Sequence, residues 1–294
     1  MKLTHSRAVL LMIGITLMWS IAGVVTRQLE SARSFEITFW RSFFTLLSLL
    51  VILPLFQGRE VFVKIRHAGR FLWISGICWS IMFTAFMVAL TMTTVANVLV
   101  TMAAGPFITA LLARLFIGHR IPTRTWVAIG VAGVGIAWMH GAQVRMDAGP
   151  GQLAGTLVAF LVPLAAAVNW TVVQRSQTHG EKIDLVPAVL VGAAISSLAT
   201  LPLAFPFAAT AHDLGLLALL GLVQLAIPCV LSVICARVLK APEMALLALL
   251  EIIFGILLAW VGADEVPGAS VWTGGTLVIG ALVANELMGW RQRR

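Results

Sequence analysis

Long apolar stretches, separated by short connectors rich in charge, glycine or proline, set the rhythm of this chain. Ten such runs stand out, at residues 8–27, 35–56, 70–91, 95–117, 124–140, 151–174, 185–206, 213–237, 243–262 and 270–289. Each is close to the roughly 20 residues that a helix needs to cross a hydrocarbon core about 30 Å thick. None alternates with the period of two that a membrane barrel requires, and in lipid a helix satisfies its own backbone hydrogen bonds. The pattern predicts an all-α polytopic membrane protein with ten transmembrane helices. Connections this short make successive helices antiparallel and leave no room for a soluble catalytic domain.

Composition agrees. Of 294 residues, 60% are apolar and 11% charged, far from an ordinary soluble domain. The net charge of +8 does not point to nucleic acid, because the basic residues are scattered among the connectors and form no contiguous face. Counted by connector, 16 Lys and Arg fall on the side that holds both termini and only Arg27, Arg33 and Arg145 on the other, while Arg41 lies inside a run. Such a bias places both termini in the cytoplasm of a bacterial inner membrane protein. The run from Ala8 to Thr26 is long enough to span and carries Trp19 near its middle, so it reads as a retained helix and not a cleaved leader. Cys78, Cys229 and Cys235 lie within apolar runs and read as small buried hydrophobes.

The chain repeats itself at an offset of 145. Pro122 matches Pro267, Gly130 matches Gly275 and Gly135 matches Gly280, and Trp19-Ser20 has a counterpart in Trp170-Thr171. Five helices per half is an odd number, so the second half, residues 148–294, enters the membrane inverted relative to the first, residues 1–147. The connector bearing His119, Arg120 and Arg124 becomes Asp264 and Glu265 in its counterpart, as expected if the same turn sits on opposite faces. Two inverted five-helix repeats are an architecture from which alternating access arises.

Enzymatic readings find no centre. No Lys follows a Gly, so there is no phosphate-cradling loop for ATP; no His precedes Glu, and no Gly-x-Ser-x-Gly elbow occurs. No metal or cofactor is expected. Polar groups within the runs are few and therefore informative. Glu251 falls roughly 13 Å into the ninth run at 1.5 Å per residue; it must be protonated, paired or facing a wet cavity, as a structural acid or as a substrate or proton site. Arg41 either snorkels outward as an anchor or pairs with an acid or a substrate carboxylate. Asn97, Asn169 and Gln224 could hydrogen-bond an amino acid backbone or join helices. Thr101 and Met102 lie beside Gly105-Pro106, the strongest hinge candidate. Pro106, Pro163 and Pro228 fall inside the fourth, sixth and eighth runs, where each favours a kink. In the third run Trp79, Met82, Phe83 and Phe86 share one helical face, which would line an apolar cavity or pack against a neighbour.

These residues resemble a known family. The five-plus-five plan, Trp19-Ser20 and Trp170-Thr171, Arg41-Ser42-Phe43-Phe44, and Glu251 followed by a turn and a glycine-spaced last helix resemble the drug/metabolite transporter superfamily, in its EamA-like branch and near the YddG-type exporters of aromatic amino acids. The resemblance implies that the first, third, fourth, sixth, eighth and ninth helices surround a central cavity. It also implies metabolite export. The chain departs from the family where a Glu-Pro pair becomes Glu251-Ile252 and Gly105-Pro106 appears in the fourth helix instead.

The expectation is a secondary, non-ATP transporter, monomer or homodimer in the lipid bilayer, that exports amino-acid-like small molecules, aromatic ones foremost. Trp19, Ser20, Trp79, Phe83, Asn97, Thr101, Met102, Asn169, Trp170, Gln224 and Glu251 are the candidate substrate contacts. Arg41, Gly105, Pro106, Pro163 and Pro228 are the candidate pairing or gating residues. Purines, lipophilic cations and nucleotide sugars are alternative cargoes, although phosphate-bearing ones would favour more basic groups than Arg41 alone. A scaffold or sensor without flux is the alternative of a different class.

Overall fold

The computed structural model describes residues 3–26, 28–32, 34–58, 60–66, 69–92, 98, 101–118, 121–141, 150–178, 184–263 and 269–291. The described residues form helices and connectors, with no strand. In chain order they are α1 (His5–Thr26), α2 (Ser34–Gln57), α3 (Glu60–Arg66), α4 (Arg70–Met92), α5 (Gly105–Ile117), α6 (Thr123–Gly141) and α7 (Pro150–Thr178). They continue with α8 (Pro187–Ala204), α9 (Ala211–Leu219), a π-helical segment (Leu220–Ala226), α10 (Ile227–Cys235), α11 (Ala241–Ala248), α12 (Leu250–Ala263) and α13 (Ala269–Arg291).

Among the described residues, six spans are long and apolar enough to cross a membrane: those within α1, α2, α4, α7 and α8, and the composite Ala211–Cys235. Gly105–Ile117 and Trp272–Asn285 are shorter apolar helices. The chain is a multi-span membrane protein. Leu10, Leu55, Phe56, Leu115, Leu157 and Leu198 stand exposed, as side chains facing lipid should.

Three runs differ from their expected form. The fourth is interrupted: Ala103 and Ala104 form a turn, so Gly105 and Pro106 open α5 and do not kink a continuous helix. In that position the missing proline N–H removes no intrahelical bond. The ninth run divides at Leu249 into α11 and α12, which moves Glu251 from mid-helix to the first turn of α12. Pro228 likewise does not kink a regular helix. It lies in the first turn of α10, directly after the π-helical segment. Pro163 does lie within its helix, α7.

The main interfaces join the two halves of the chain. α4 packs on α7 and α8, α2 on α8, α1 on α12 and α10, α5 on α7, and α6 on α13. Several of these contacts are close because a glycine permits it. A Cβ on Gly192 would stand 2.4 Å from the Cβ of Trp79, and one on Gly135 would stand 2.7 Å from the Gly274 carbonyl oxygen. Gly221, in the π-helical segment, meets α2 in the same way, with Phe44 Cβ at 2.6 Å and the Arg41 carbonyl oxygen at 3.0 Å. These approaches set how close the backbones that carry Trp79 and Arg41 come to their neighbours.

Carboxylates hold the connectors, two of them, Asp213 and Glu36, fully buried. Asp213 accepts hydrogen bonds from the backbone N–H of Glu30, Ser31, Ala32 and Thr210 and closes a capping box with Thr210 at the start of α9. Glu36, in the first turn of α2, accepts from the N–H of Ala208 and Ala209. Toward the opposite end of α2, Asp184 accepts from Gln57 at 2.9 Å and from Arg237 at 2.5 Å. Asn97, Asp264, Glu265 and Pro267 lie outside the described residues.

Candidate functional site: a central cavity with a buried guanidinium and a carboxyl

A cavity of about 130 Å³ opens among α1, α2, α4, α7, the π-helical segment, α10, α12 and the ends of the two interrupted helices. Its wall is mostly aromatic and sulfur-bearing. Trp19 comes from α1; Trp79, Met82, Phe83 and Phe86 come from one face of α4; Trp170 comes from α7; and Met102 precedes the turn before α5. Trp79 stands edge-on to Trp170, with ring centroids 5.8 Å apart and planes at 87°, and lies 5.6 Å from Phe83. Such edge-to-face geometry is favoured by the ring quadrupoles. It leaves the Trp79 indole N–H buried without a hydrogen-bond partner.

Three polar side chains interrupt this apolar wall. Arg41 does not snorkel outward: it is 2% exposed, one terminal nitrogen donates to the Phe83 carbonyl at 2.9 Å, and its Nε has no partner. Gln224 is carried by the π-helical segment. Its amide nitrogen donates to the Trp19 carbonyl at 3.4 Å and its oxygen accepts nothing. Segments of π-helix cluster at functional sites because the wider turn re-aims side chains. Glu251, half-buried in the first turn of α12, shares the cavity with Arg41. Among the described residues the ion pairs are His5–Glu243 and Arg237–Asp184, so Arg41 and Glu251 face one space without touching. Buried polar groups are normally satisfied. An unpaired guanidinium nitrogen and an unpaired amide oxygen beside a carboxyl therefore leave hydrogen-bonding capacity open to a guest.

Both helix interruptions border this space. The turn at Ala103 and Ala104 follows Met102, and the break at Leu249 lies between Ala248 and Glu251, where Met102, Ala248 and Glu251 all line the cavity. Short i to i+3 bonds close each break, from the N–H of Ala104 to the Thr101 carbonyl and from the N–H of Leu249 to the Leu246 carbonyl. Gly105 rests against Pro163 of α7, where a Cβ would stand 3.6 Å from the proline Cβ.

The remaining candidates lie elsewhere. Asn169 is buried behind Trp170, where its oxygen accepts from Ser75 at 2.6 Å and ties α4 to α7. Ser20 donates to the Leu17 carbonyl within its own helix. Neither Ser20, Thr101 nor Asn169 is among the cavity-lining side chains. Pro228 is buried next to a lining residue that sequence reasoning assigned to packing, Cys229. Val162, Ala166, Leu225 and Ala248 complete the wall. Their aliphatic side chains gave no signal apart from their spacing around Trp170, Gln224 and Glu251.

A solved structure, described only as the crystal structure of a protein, is similar over 98% of this chain and 100% of its own, with a TM-score of 0.78 and 16% sequence identity. At that identity the likeness concerns the fold alone. No curated protein matches the chain in sequence. Residues 6–140, just under half of the chain, match the model of the EamA-like transporter family, and that match points to a multi-span membrane transporter of small solutes.

Proposed function

We propose that this protein is a secondary carrier that exports small amino-acid-like solutes, aromatic amino acids foremost, by alternating access around the Arg41–Glu251 cavity. The observation that carries this reading is the cavity itself, which a guanidinium and a carboxyl line together, with no salt bridge between them, among Trp19, Trp79, Phe83 and Trp170. A zwitterion brings one charge of each sign to such a site. Its carboxylate meets Arg41, its ammonium meets Glu251 and the Gln224 oxygen, and a planar side chain lies against the rings. A lone cation or anion would leave one buried charge unmatched, at a cost that low-polarity surroundings magnify.

An inverted repeat is supported by recurring positions. Gly105 and Leu250, the residues that open the two interrupted helices, are 145 apart, as are the tightly packed Gly76 and Gly221. The Cβ site of Gly76 meets Val191 and the Ala188 carbonyl; that of Gly221 meets Phe44 and the Arg41 carbonyl. Discontinuous helices at corresponding positions in two halves are the feature that marks a carrier's binding site. At about 130 Å³, the cavity is below the roughly 300–1,000 Å³ of open ligand clefts. Cargo of any bulk requires the surrounding helices to part.

Purified protein in liposomes tests the proposal through uptake of labelled tryptophan, with amino acids, purines and quaternary cations as competitors. The reading expects saturable uptake, competed best by aromatic amino acids. Uptake competed only by cations, or none above empty liposomes, would refute it. A pH gradient imposed across the same vesicles decides whether Glu251 couples protons: its effect on the rate should disappear in Glu251→Gln.

A further inference from the structure

We infer that α2 and α8 form a stationary spine, the axis about which the rest of the molecule rocks; the inference rests on the alternating-access reading above. Hydrogen bonds tie this helix pair at three levels. At the end where α2 begins, Glu36 accepts from the N–H of Ala208 and Ala209 in the connector that leaves α8, at 2.8 and 3.0 Å. Midway, the Ser42 and Ser196 hydroxyls lie 2.9 Å apart, and Ser196 lies a further 2.9 Å from Thr84 of α4. At the far end Gln57, the last residue of α2, donates to Asp184 at 2.9 Å, and Asp184 also accepts from the N–H of Val186 at the threshold of α8. Sliding or tilting one helix against the other would break ties at top, middle and bottom together. A two-state element needs at least one interface free to exchange partners, and this one is held helix to helix at Ser42–Ser196 and at both ends through the connectors that flank α8.

The repeat supplies an independent reason. When two inverted halves exchange conformations, each interface takes on the geometry of its counterpart. The α1–α12 contact exchanges with α7–α5, the α4–α8 contact exchanges with that between the π-helical segment and α2, and the α4–α7 contact exchanges with α10–α1. The α2–α8 contact is its own counterpart, as is α6–α13, so the exchange leaves both as they were; of the two pairs, α2–α8 is the one that carries a cavity residue, Arg41. The ties match in kind as well: Glu36 near the start of α2 holds the connector after α8, and Asp184 before α8 holds the last residue of α2.

Ser42→Cys combined with Ser196→Cys, joined by mild oxidation and reopened by reductant, tests this in proteoliposomes carrying labelled tryptophan. The crosslinked protein is expected to keep uptake within about twofold of its reduced form, whereas locking an interface that must move would lower it by about tenfold or more. A reversible loss of that size on oxidation would overturn the spine. Should the double variant fail to fold, spin labels on the exposed Val51 of α2 and Leu198 of α8 replace it. Their separation is expected to stay constant on adding tryptophan while that between the exposed Leu17 of α1 and Leu257 of α12, which flank an interface that exchanges with a different one, shifts. A shift in the first pair would overturn the spine. If the unmodified protein shows no uptake and neither pair responds, the transport reading falls and the spine with it.

Discussion

Arg41 is the residue on which most of the site depends. It is buried in α2, anchored through one nitrogen to the Phe83 carbonyl, and left with a free Nε beside the cavity that also holds Glu251. Replacing it with Leu removes both the charge and the fork of donors. Lys keeps the charge but cannot bond the Phe83 carbonyl and a guest in the same plane. Uptake in proteoliposomes should fall by about tenfold or more in Arg41→Leu, a difference of ~1.4 kcal/mol or more. Arg41→Lys should fall between Leu and the parent, and full activity in both variants would remove Arg41 from the site. Packing makes a separate demand at Gly192, where a Cβ would stand 2.4 Å from that of Trp79 and 2.9 Å from the Gly76 carbonyl oxygen. Gly192→Ala should destabilise the protein by roughly 1–3 kcal/mol, read as a lower thermal midpoint in detergent. Gly105→Ala, with ordinary contact at 3.6 Å, should leave that midpoint unchanged.

Much of the site was legible residue by residue, because a charged, amide or aromatic side chain inside an apolar run stands out. Arg41, Glu251, Gln224, Trp19, Trp79, Phe83, Met102 and Trp170 all face the cavity. Cys229 was illegible, since a thiol in an apolar run looks the same in a cavity wall as in a packed core. Asn169 reads the same whether it faces a guest or, as here, Ser75 of a neighbouring helix.

Elements were legible as apolar helices more than in their number or continuity: ten spans were expected, and six helices among the described residues are long and apolar enough to cross a membrane. Apolar length alone predicts spans, but the break at Leu249 carries no proline or glycine, and the π-helical segment at Leu220–Ala226 has no compositional mark of its own. Gly105-Pro106 did announce an irregularity, although it proved to be a helix start. The acids at helix ends were also hidden in the pattern, because Glu36 and Asp213 look like ordinary interfacial carboxylates until the connectors fold over them. Asp213 is fully buried and accepts four backbone donors from two connectors. Asp213→Ala would strand those donors, each unsatisfied buried group costing about 1–3 kcal/mol. The variant should unfold at a lower temperature, and the 28–32 connector should become readily cleaved by protease. A thermal midpoint equal to the parent's would show that the carboxylate is not what holds the connectors.

At the scale of the whole molecule, the proposed inverted repeat rests on charge placement and the offset of 145, and the main contacts join helices of the first half of the chain to helices of the second. The scattering of Lys and Arg predicts that reporters fused to the amino and carboxyl ends report the same, cytoplasmic face. Ends on opposite faces would require an odd number of crossings and would end the inverted-repeat account. What composition could not convey is the cavity and the company Arg41 keeps there, since those follow from segments as far apart as Trp19, Gln224 and Glu251 coming together. Counterflow tests the central claim most directly. Liposomes containing the protein are loaded with unlabelled tryptophan and diluted into a trace of labelled tryptophan. A carrier whose single site faces each side in turn gives a transient rise of internal label above its equilibrium level, and Arg41→Leu should abolish that rise. Label that only approaches equilibrium, equally in parent and variant, would contradict the account.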